Sequence, residues 1–287
     1  LMLNTVQSNI LSDGSRLHLN HGPIDLIIES FGETEIVQCA YERATNKFNN
    51  VLTDLVRELP TLRSPISQNR DTLKSPVGLR MQNAVQPFYP TFVTPMAAVA
   101  GSVADYVLKI LCEGDKLRKA YVNNGGDIAI HLDQHEVFNI GIITNLKTRA
   151  VAGTVSIGKK DAINGIATSG WHGRSHSLGI ADAVTVLAPN AAQADTAATL
   201  IANAVDLPGS TLIKKVPAKE LFPDTDLGDK LVTTGVALLP KHLAVMAVEN
   251  GCKRANEYIS RGLITAATIS LQGVIKIVGP NRILTQY

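Results

Sequence analysis

Two periodicities of apolar residues divide this chain into elements. Arg16–His21 and Ile24–Ser30 read as strands parted by Gly22-Pro23, a turn signal. From Glu33 to Leu59 the apolar residues Ile36, Val37, Ala40, Tyr41, Ala44, Phe48, Val51, Leu52, Leu55, Val56 and Leu59 recur at three- and four-residue spacing. That spacing predicts one long amphipathic helix, stopped by Pro60. Residues 60–95 are rich in Pro, Ser, Asn and Gln and read as irregular, with an ordered stretch over Val77–Val85.

Ala97–Leu111 reads as a second helix with Ala97, Ala100, Gly101 and Ala104 along one side, so something packs close against that side. Ala120–Asn123 and Ile128–Leu132 are predicted strands on either side of Asn124-Gly125-Gly126-Asp127, and Val137–Thr144 is a further one. Val151–Ile157, Ala162–Ala167 and Asp182–Ala188 continue the β run, followed by a helix over 191–205. A loop containing LFPDTDLGDKLVTTG leads to a strand at Val236–Leu239, a helix around Ala244–Ser260 and a strand pair at Leu263–Leu271 and Gly273–Val278.

Strands run consecutively through the middle of the chain instead of alternating with helices, which predicts an α+β fold of mixed or antiparallel sheets with packed helices. No linker separates independent parts, so one domain is expected over 1–287. Hydrophobic residues make up 45% and charged residues 18% of the 287 positions, the balance of a globular protein with a sizeable core. The formal net charge is +2, with Lys and Arg scattered, which leaves little footprint for nucleic acid. Cys39, Cys112 and Cys252 are odd in number and form no C-x-x-C pair, so buried reduced thiols are expected. No apolar run approaches the roughly 20 residues of a bilayer crossing, and the start lacks a secretory pattern, so no membrane partner and a cytoplasmic location are expected.

The candidate chemistry lies mainly between Gly165 and Gly209. Asn190 is a good N-cap, and Gln193 three residues on completes capping-box spacing. The helix then begins at about Ala191, which puts Asp195 past the first turn and Thr199 one turn further on the same face. A carboxylate and a hydroxyl so placed can supply part of a magnesium shell, which takes one or two carboxylates together with waters and phosphates. Equally, such an Asp can accept a bond from the Thr or from the backbone of a neighbouring turn.

Asn124-Gly125-Gly126-Asp127 lets a ligand approach the backbone, or makes a tight turn whose Asn and Asp satisfy local groups. Thr168-Ser169-Gly170 ends a strand in a loop that can present N–H groups to phosphate, or forms an ST-turn. Beyond it lie His172, Arg174 and His176, able to relay a proton or grip phosphate, or simply solvated. Asp224, Asp226 and Asp229 lack EF-hand spacing and read as an acidic capping loop.

The order of these segments is more specific than any one of them. YVNNGGDIAI, then FNIGI, GIATSG and AVTVLAPNAAQADTAAT, resembles the signature series of the ApbE superfamily, with its GG[DN] turn, A-x-A-T-S-G element and A-D-x-x-x-T helix. TPMAAVAGSVAD (Thr94–Asp105) is similar to that family's D-L-G-A-I-A-K-G-x-x-x-D helix start, so the core motifs cover about 90–210. In wording the chain is most similar to a branch of the superfamily with no assigned activity. The best-known ApbE-like enzymes are Mg²⁺-dependent FAD:protein FMN transferases, and some members hydrolyse FAD to FMN and AMP.

The resemblance implies that Asp195, Thr199 and the carbonyl of Ala97 ligate Mg²⁺ at a flavin pyrophosphate, attacked by a client protein's hydroxyl or by water. Asn124, Gly125, Gly126 and Asp127, with Thr168, Ser169 and Gly170, would line the dinucleotide pocket. Two departures stand out. The family's Lys falls on Ala100, and its H-I-x-D-P-x-T-G loop is shortened to His176-Ser177-Leu178-Gly179, which leaves His176 as the implied catalytic group. The alternatives are a non-catalytic flavin or nucleotide binder, a cofactor-delivery protein, or an enzyme for another small molecule. The small-residue helix surfaces are compatible with a homodimer.

Overall fold

A computed structural model describes residues 5–69, 72–114, 116–145, 148, 150–280 and 284–286. In chain order its elements are β1 (Gln7–Ile10), β2 (Leu17–His21), β3 (Ile24–Phe31), α1 (Thr34–Phe48), α2 (Val51–Leu62), α3 (Pro76–Val85), α4 (Val99–Leu111), β4 (Lys119–Asn124) and β5 (Asp127–Leu132). There follow β6 (Val137–Asn145), β7 (Ala150–Gly158), β8 (Gly165–Ser169), β9 (Ala183–Ala188) and α5 (Ala191–Ala204). The chain continues through β10 (Ile213–Pro217), α6 (Ala218–Leu221), β11 (Leu231–Val236), α7 (Lys241–Ser260), β12 (Ala266–Leu271), β13 (Val274–Val278) and β14 (Leu284–Gln286). The fold is α+β, and every strand pair with a defined register is antiparallel.

The elements form two compact units that interleave along the sequence: Leu1–Val137, Gly158–Ile166 and Pro189–Asp195 make the first, and Phe138–Ile157, Ala167–Ala188 and Thr196–Tyr287 the second. In the first, strands follow the order β1-β2-β3-β4-β5, with the opening residues of β8 against β5. β3 buries every second residue, as the alternation of a half-covered antiparallel strand requires, and Leu26 and Ile28 are fully covered. α1, α2, α3 and α4 add to this core with Ala44, Phe48, Leu62, Met81, Val103 and Leu111.

The second unit has β9 paired with β12 and β12 with β13, together with a β14-β7-β6 sheet and a β10-β11 pair. β9 and β12 are buried at all six positions, covered on both faces, so their sequences (AVTVLA and AATISL) are apolar apart from the small hydroxyl residues Thr185, Thr268 and Ser270.

Four expectations need correction, the first being the buried thiols: Cys39 is exposed and Cys112 half-buried, and Cys252 alone of the three is buried. The predicted long helix is two, broken at Asn49-Asn50; Asn49 spends its side chain on the carbonyl of Asn46, the competition with backbone that makes Asn a helix interrupter. Pro60 does not stop α2 but lies in its last turn, on the exposed side next to an exposed Val56, so the carbonyl that lacks an N–H partner can be hydrated. The strand expected at Val236–Leu239 is β11, ending at Val236, and its partner β10 went unpredicted because IKKVP carries two lysines and a bulge instead of an alternating apolar face.

Candidate functional site

In the first unit the beginnings of α4 and α5 meet. An α-helix starts with N–H groups that have no intrahelical partner. In α5, Ala191 and Ala192 donate to the two carboxylate oxygens of Asp105 at 3.0 and 2.9 Å, and Gln193 donates to Asn190 Oδ1 at 2.8 Å. In α4, whose N-cap Ala98 has no capping side chain, Gly101 donates to Asp195 Oδ2 at 3.0 Å and Ala100 donates to the same carboxylate. Val99 donates to the carbonyl of Met96. Each helix thus hands a carboxylate to the start of the other. Asp195 is not a cap of its own helix, as expected, but it caps α4, which neither sequence reading foresaw.

The helices approach this closely because Gly101 has no side chain. A Cβ there would lie 2.5 Å from the carbonyl carbon of Ala191 and 2.7 Å from the nitrogen of Ala192. Asn124 Nδ2 donates to the carbonyl of Ala100 at 3.1 Å, bringing the Gly-Gly-Asp turn to the same place. Gly125 and Gly126 both have positive φ, 68° and 115°, as the tight β4–β5 turn requires, and Gly126 donates to Asn123 Oδ1. Asp127 pairs with Asn124 in the ladder. Ala97 sits in a short 3₁₀ turn, Pro95–Ala98, directly before α4.

Burial raises the pKa of both carboxylates. Asp105 is pushed up by loss of water, opposed by its N–H donors and by Arg80. Asp195 keeps a little accessible surface, yet its carboxyl is enclosed: desolvation, opposed by the Gly101 and Ala100 N–H groups and reinforced by Asp105, pushes it up to about 7. Thr199, one turn on along α5, forms no hydrogen bond through its hydroxyl among the described residues.

The second unit holds the Thr168–Gly170 element and the polar loop. Thr168 Oγ1 lies 2.9 Å from Thr185 Oγ1 across β8 and β9, Ser169 ends β8, and Gly170 backs onto the carbonyls of Ala181 and Asp182. His172 Nε2 is 3.7 Å from Asp182 Oδ1, and the Trp171 ring stacks on the imidazole at 3.8 Å. Asp182 is 6% exposed, and its Oδ2 accepts the Gln272 N–H at 2.6 Å. His176 stands apart from this group, with its ring 5.2 Å from that of Phe222. Gly173, Arg174 and Ser175 are exposed at the loop tip, while Leu178 is fixed by Asn203 and by Lys215.

Asp105 and Asp182 are the groups that the sequence reading left without a role. The only signal for Asp182 was an acidic residue leading into a largely apolar strand, and Asp105 merely closed a motif. A cavity of about 450 Å³ opens elsewhere in the second unit, lined by Asn203, Asp206, Asn250, Lys253, Arg254 and Glu257 among others, and no expected site residue lines it. Asp229 pairs with Lys219 on the surface, and among the described residues no group of three His, Cys, Asp or Glu could hold a metal.

A family model described as AbpE bacteria matches residues 8–277. The chain belongs to that family. Membership agrees with the motif series read from the sequence. Among curated relatives, the UPF0280 protein of Archaeoglobus fulgidus is 40% identical over 114 residues, covering 39% of this chain and 45% of that protein. The UPF0280 protein MK0206 of Methanopyrus kandleri is 33% identical over 123 residues, 43% of this chain and 46% of that one. The chain spans about half the length of the curated relatives it matches. Among solved structures, the ApbE protein of Thermotoga maritima aligns over 95% of this chain and 97% of its own, with a TM-score of 0.44 at 13% identity. The apo flavinyl transferase ApbE of Pseudomonas stutzeri aligns over 97% and 96%, with a TM-score of 0.44 at 11% identity. Among the described residues no helix is long and apolar enough to cross a membrane.

Proposed function

We propose that this protein binds a flavin dinucleotide together with a divalent cation, with Mg²⁺ as its metal, and cleaves the pyrophosphate, passing FMN to a client hydroxyl or to water. One observation carries the reading: Asn124, the start of α4 and Asp195, from motifs far apart in the sequence, meet at one place. The family membership and the order of the motifs support it.

The residues suit a hard cation. A carboxylate that accepts two N–H bonds still has lone pairs, the Thr199 hydroxyl forms no hydrogen bond among the described residues, and the Ala97 carbonyl would be a third oxygen donor. Three oxygens make an incomplete shell, as befits a metal that shares its coordination with substrate phosphates. When bound, Mg²⁺ would offset the negative charge that develops on the phosphoryl oxygens.

In this reading Asp195 and Thr199 would hold the metal, and the Asn124–Asp127 turn, bonded to the start of α4 through Asn124, would receive the dinucleotide. The attacking oxygen bonds to the FMN phosphorus as the bond to AMP breaks, and its proton passes to a histidine. His176 is the residue that the resemblance implies, and His172, with Asp182 Oδ1 at 3.7 Å from its Nε2, is the second candidate. The test is incubation with FAD and Mg²⁺, with and without EDTA, following AMP and FMN by chromatography. AMP release that requires the metal and disappears in Asp195→Ala supports the reading, and absence of flavin binding overturns it. The shortened loop favours a second reading, a flavin-binding or cofactor-delivery protein, which would show tight binding without turnover.

A further inference from the structure

We infer that Asp105 is a positioning residue for Asp195, acting through an exchange of carboxylates between the starts of α4 and α5. The inference rests on the metal-binding reading of Asp195 above, and adds to it what holds that residue in place.

The geometry is reciprocal. Asp105, the seventh residue of α4, reaches the first two N–H groups of α5, and Asp195, the fifth residue of α5, reaches the second and third N–H groups of α4. Neither helix caps these groups from its own side chains: Ala98 has no capping atom, and Asn190 reaches only Gln193. Each helix start carries about half a positive charge, so each buried carboxylate faces the pole of the opposite helix. The direction of α5 at Asp195 is therefore set by the hold of Asp105 on Ala191, four residues before Asp195, and the approach is locked by the bare Gly101 against Ala191 and Ala192. Removing one carboxylate loosens the helix that carries the other.

The same clamp fixes the start of α4, and Ala97 is only two residues before it. Asp105 touches none of the three oxygens assigned to the cation, yet it governs the segments that hold Asp195 and Ala97. Groups in this role around metal ligands typically change affinity about 10–100-fold when removed.

The test compares Asp105→Asn with Asn190→Ala. Both weaken the start of α5, but only the first releases the exchange, since Asn190 caps Gln193 alone. Two readouts are taken on the full chain, with folding checked by circular dichroism: amide exchange at Ala100 and Gly101, and Mn²⁺ affinity by titration in the presence of FAD. Asp105→Asn should speed exchange of Ala100 and Gly101, which it does not contact, about tenfold, and weaken Mn²⁺ binding about tenfold. Asn190→Ala should leave both within about twofold. Unchanged exchange at Ala100 and Gly101 in Asp105→Asn overturns the inference, as does an equal change in Asn190→Ala. If exchange responds as expected but the unaltered protein binds no Mn²⁺, the positioning stands and the metal reading falls. Should Asp105→Asn fail to fold, Asp195→Asn is read in reverse, and faster exchange at Ala191 and Ala192 is the required result.

Discussion

The helix junction at Asp105 and Asp195 and the loop tip at Gly173–Ser175 are both polar stretches beside apolar elements, yet they are built in opposite ways. At the junction the leading N–H groups of both helices have identified acceptors, and there is no room for a single added carbon. At the tip the residues are exposed, and the anchoring begins only at Ser177, whose carbonyl accepts the Thr233 N–H, and at Leu178. A ligand pocket needs parts that do not move and parts that can give way, and local stability follows buried, paired backbone. The two stretches therefore differ in how firmly each is held.

That contrast can be broken in several ways. The largest effect is expected for Gly101→Ala, which forces a Cβ into the backbone of Ala191 and should cost about 3 kcal/mol or more in urea unfolding, or abolish folding. Asp105→Ala leaves two buried N–H groups without acceptors and should destabilise by about 2–3 kcal/mol in the same measurement. Next comes pH. A carboxyl whose folded pKa is raised binds its proton more tightly in the folded state, so its contribution is full at low pH and is lost as pH rises through that pKa. With Asp195 moved from 3.8 to about 7, the metal-free chain should lose stability between about pH 4 and pH 7, and Asp195→Asn should flatten that slope in thermal melts.

Within the loop, His172→Ala should lower kcat for AMP release about a hundredfold, as loss of an acid–base group does, while His176→Ala should change it less. The reverse order would return the role to His176. The smallest effect belongs to Arg174→Ala, expected to stay within about 0.5 kcal/mol in unfolding.

How far the sequence could be read follows the same division. β2, β3, β4, β5, β9, α5, α7, β12 and β13 were legible because their apolar periods are strong and their turns carry Gly or Asn. The break at Asn49-Asn50 was not, since the apolar spacing runs straight through it. The Asn190 cap and the positive φ at Gly125 and Gly126 were readable as local chemistry. The partners of Asp105, Asp195 and Asp182 lie roughly 90 residues away, and periodicity carries no information at that range.

The central claim is that Asp195 holds a cation beside a bound flavin dinucleotide. Crystals grown with Mn²⁺ and FAD test it most directly, through the anomalous difference map at the manganese edge. The account expects a peak bounded by the Asp195 carboxylate and the Thr199 hydroxyl, at about 2.1–2.2 Å as oxygen ligation of such an ion requires. Bound FAD with no peak there, and Asp195 serving only the N–H groups of Ala100 and Gly101, would contradict it.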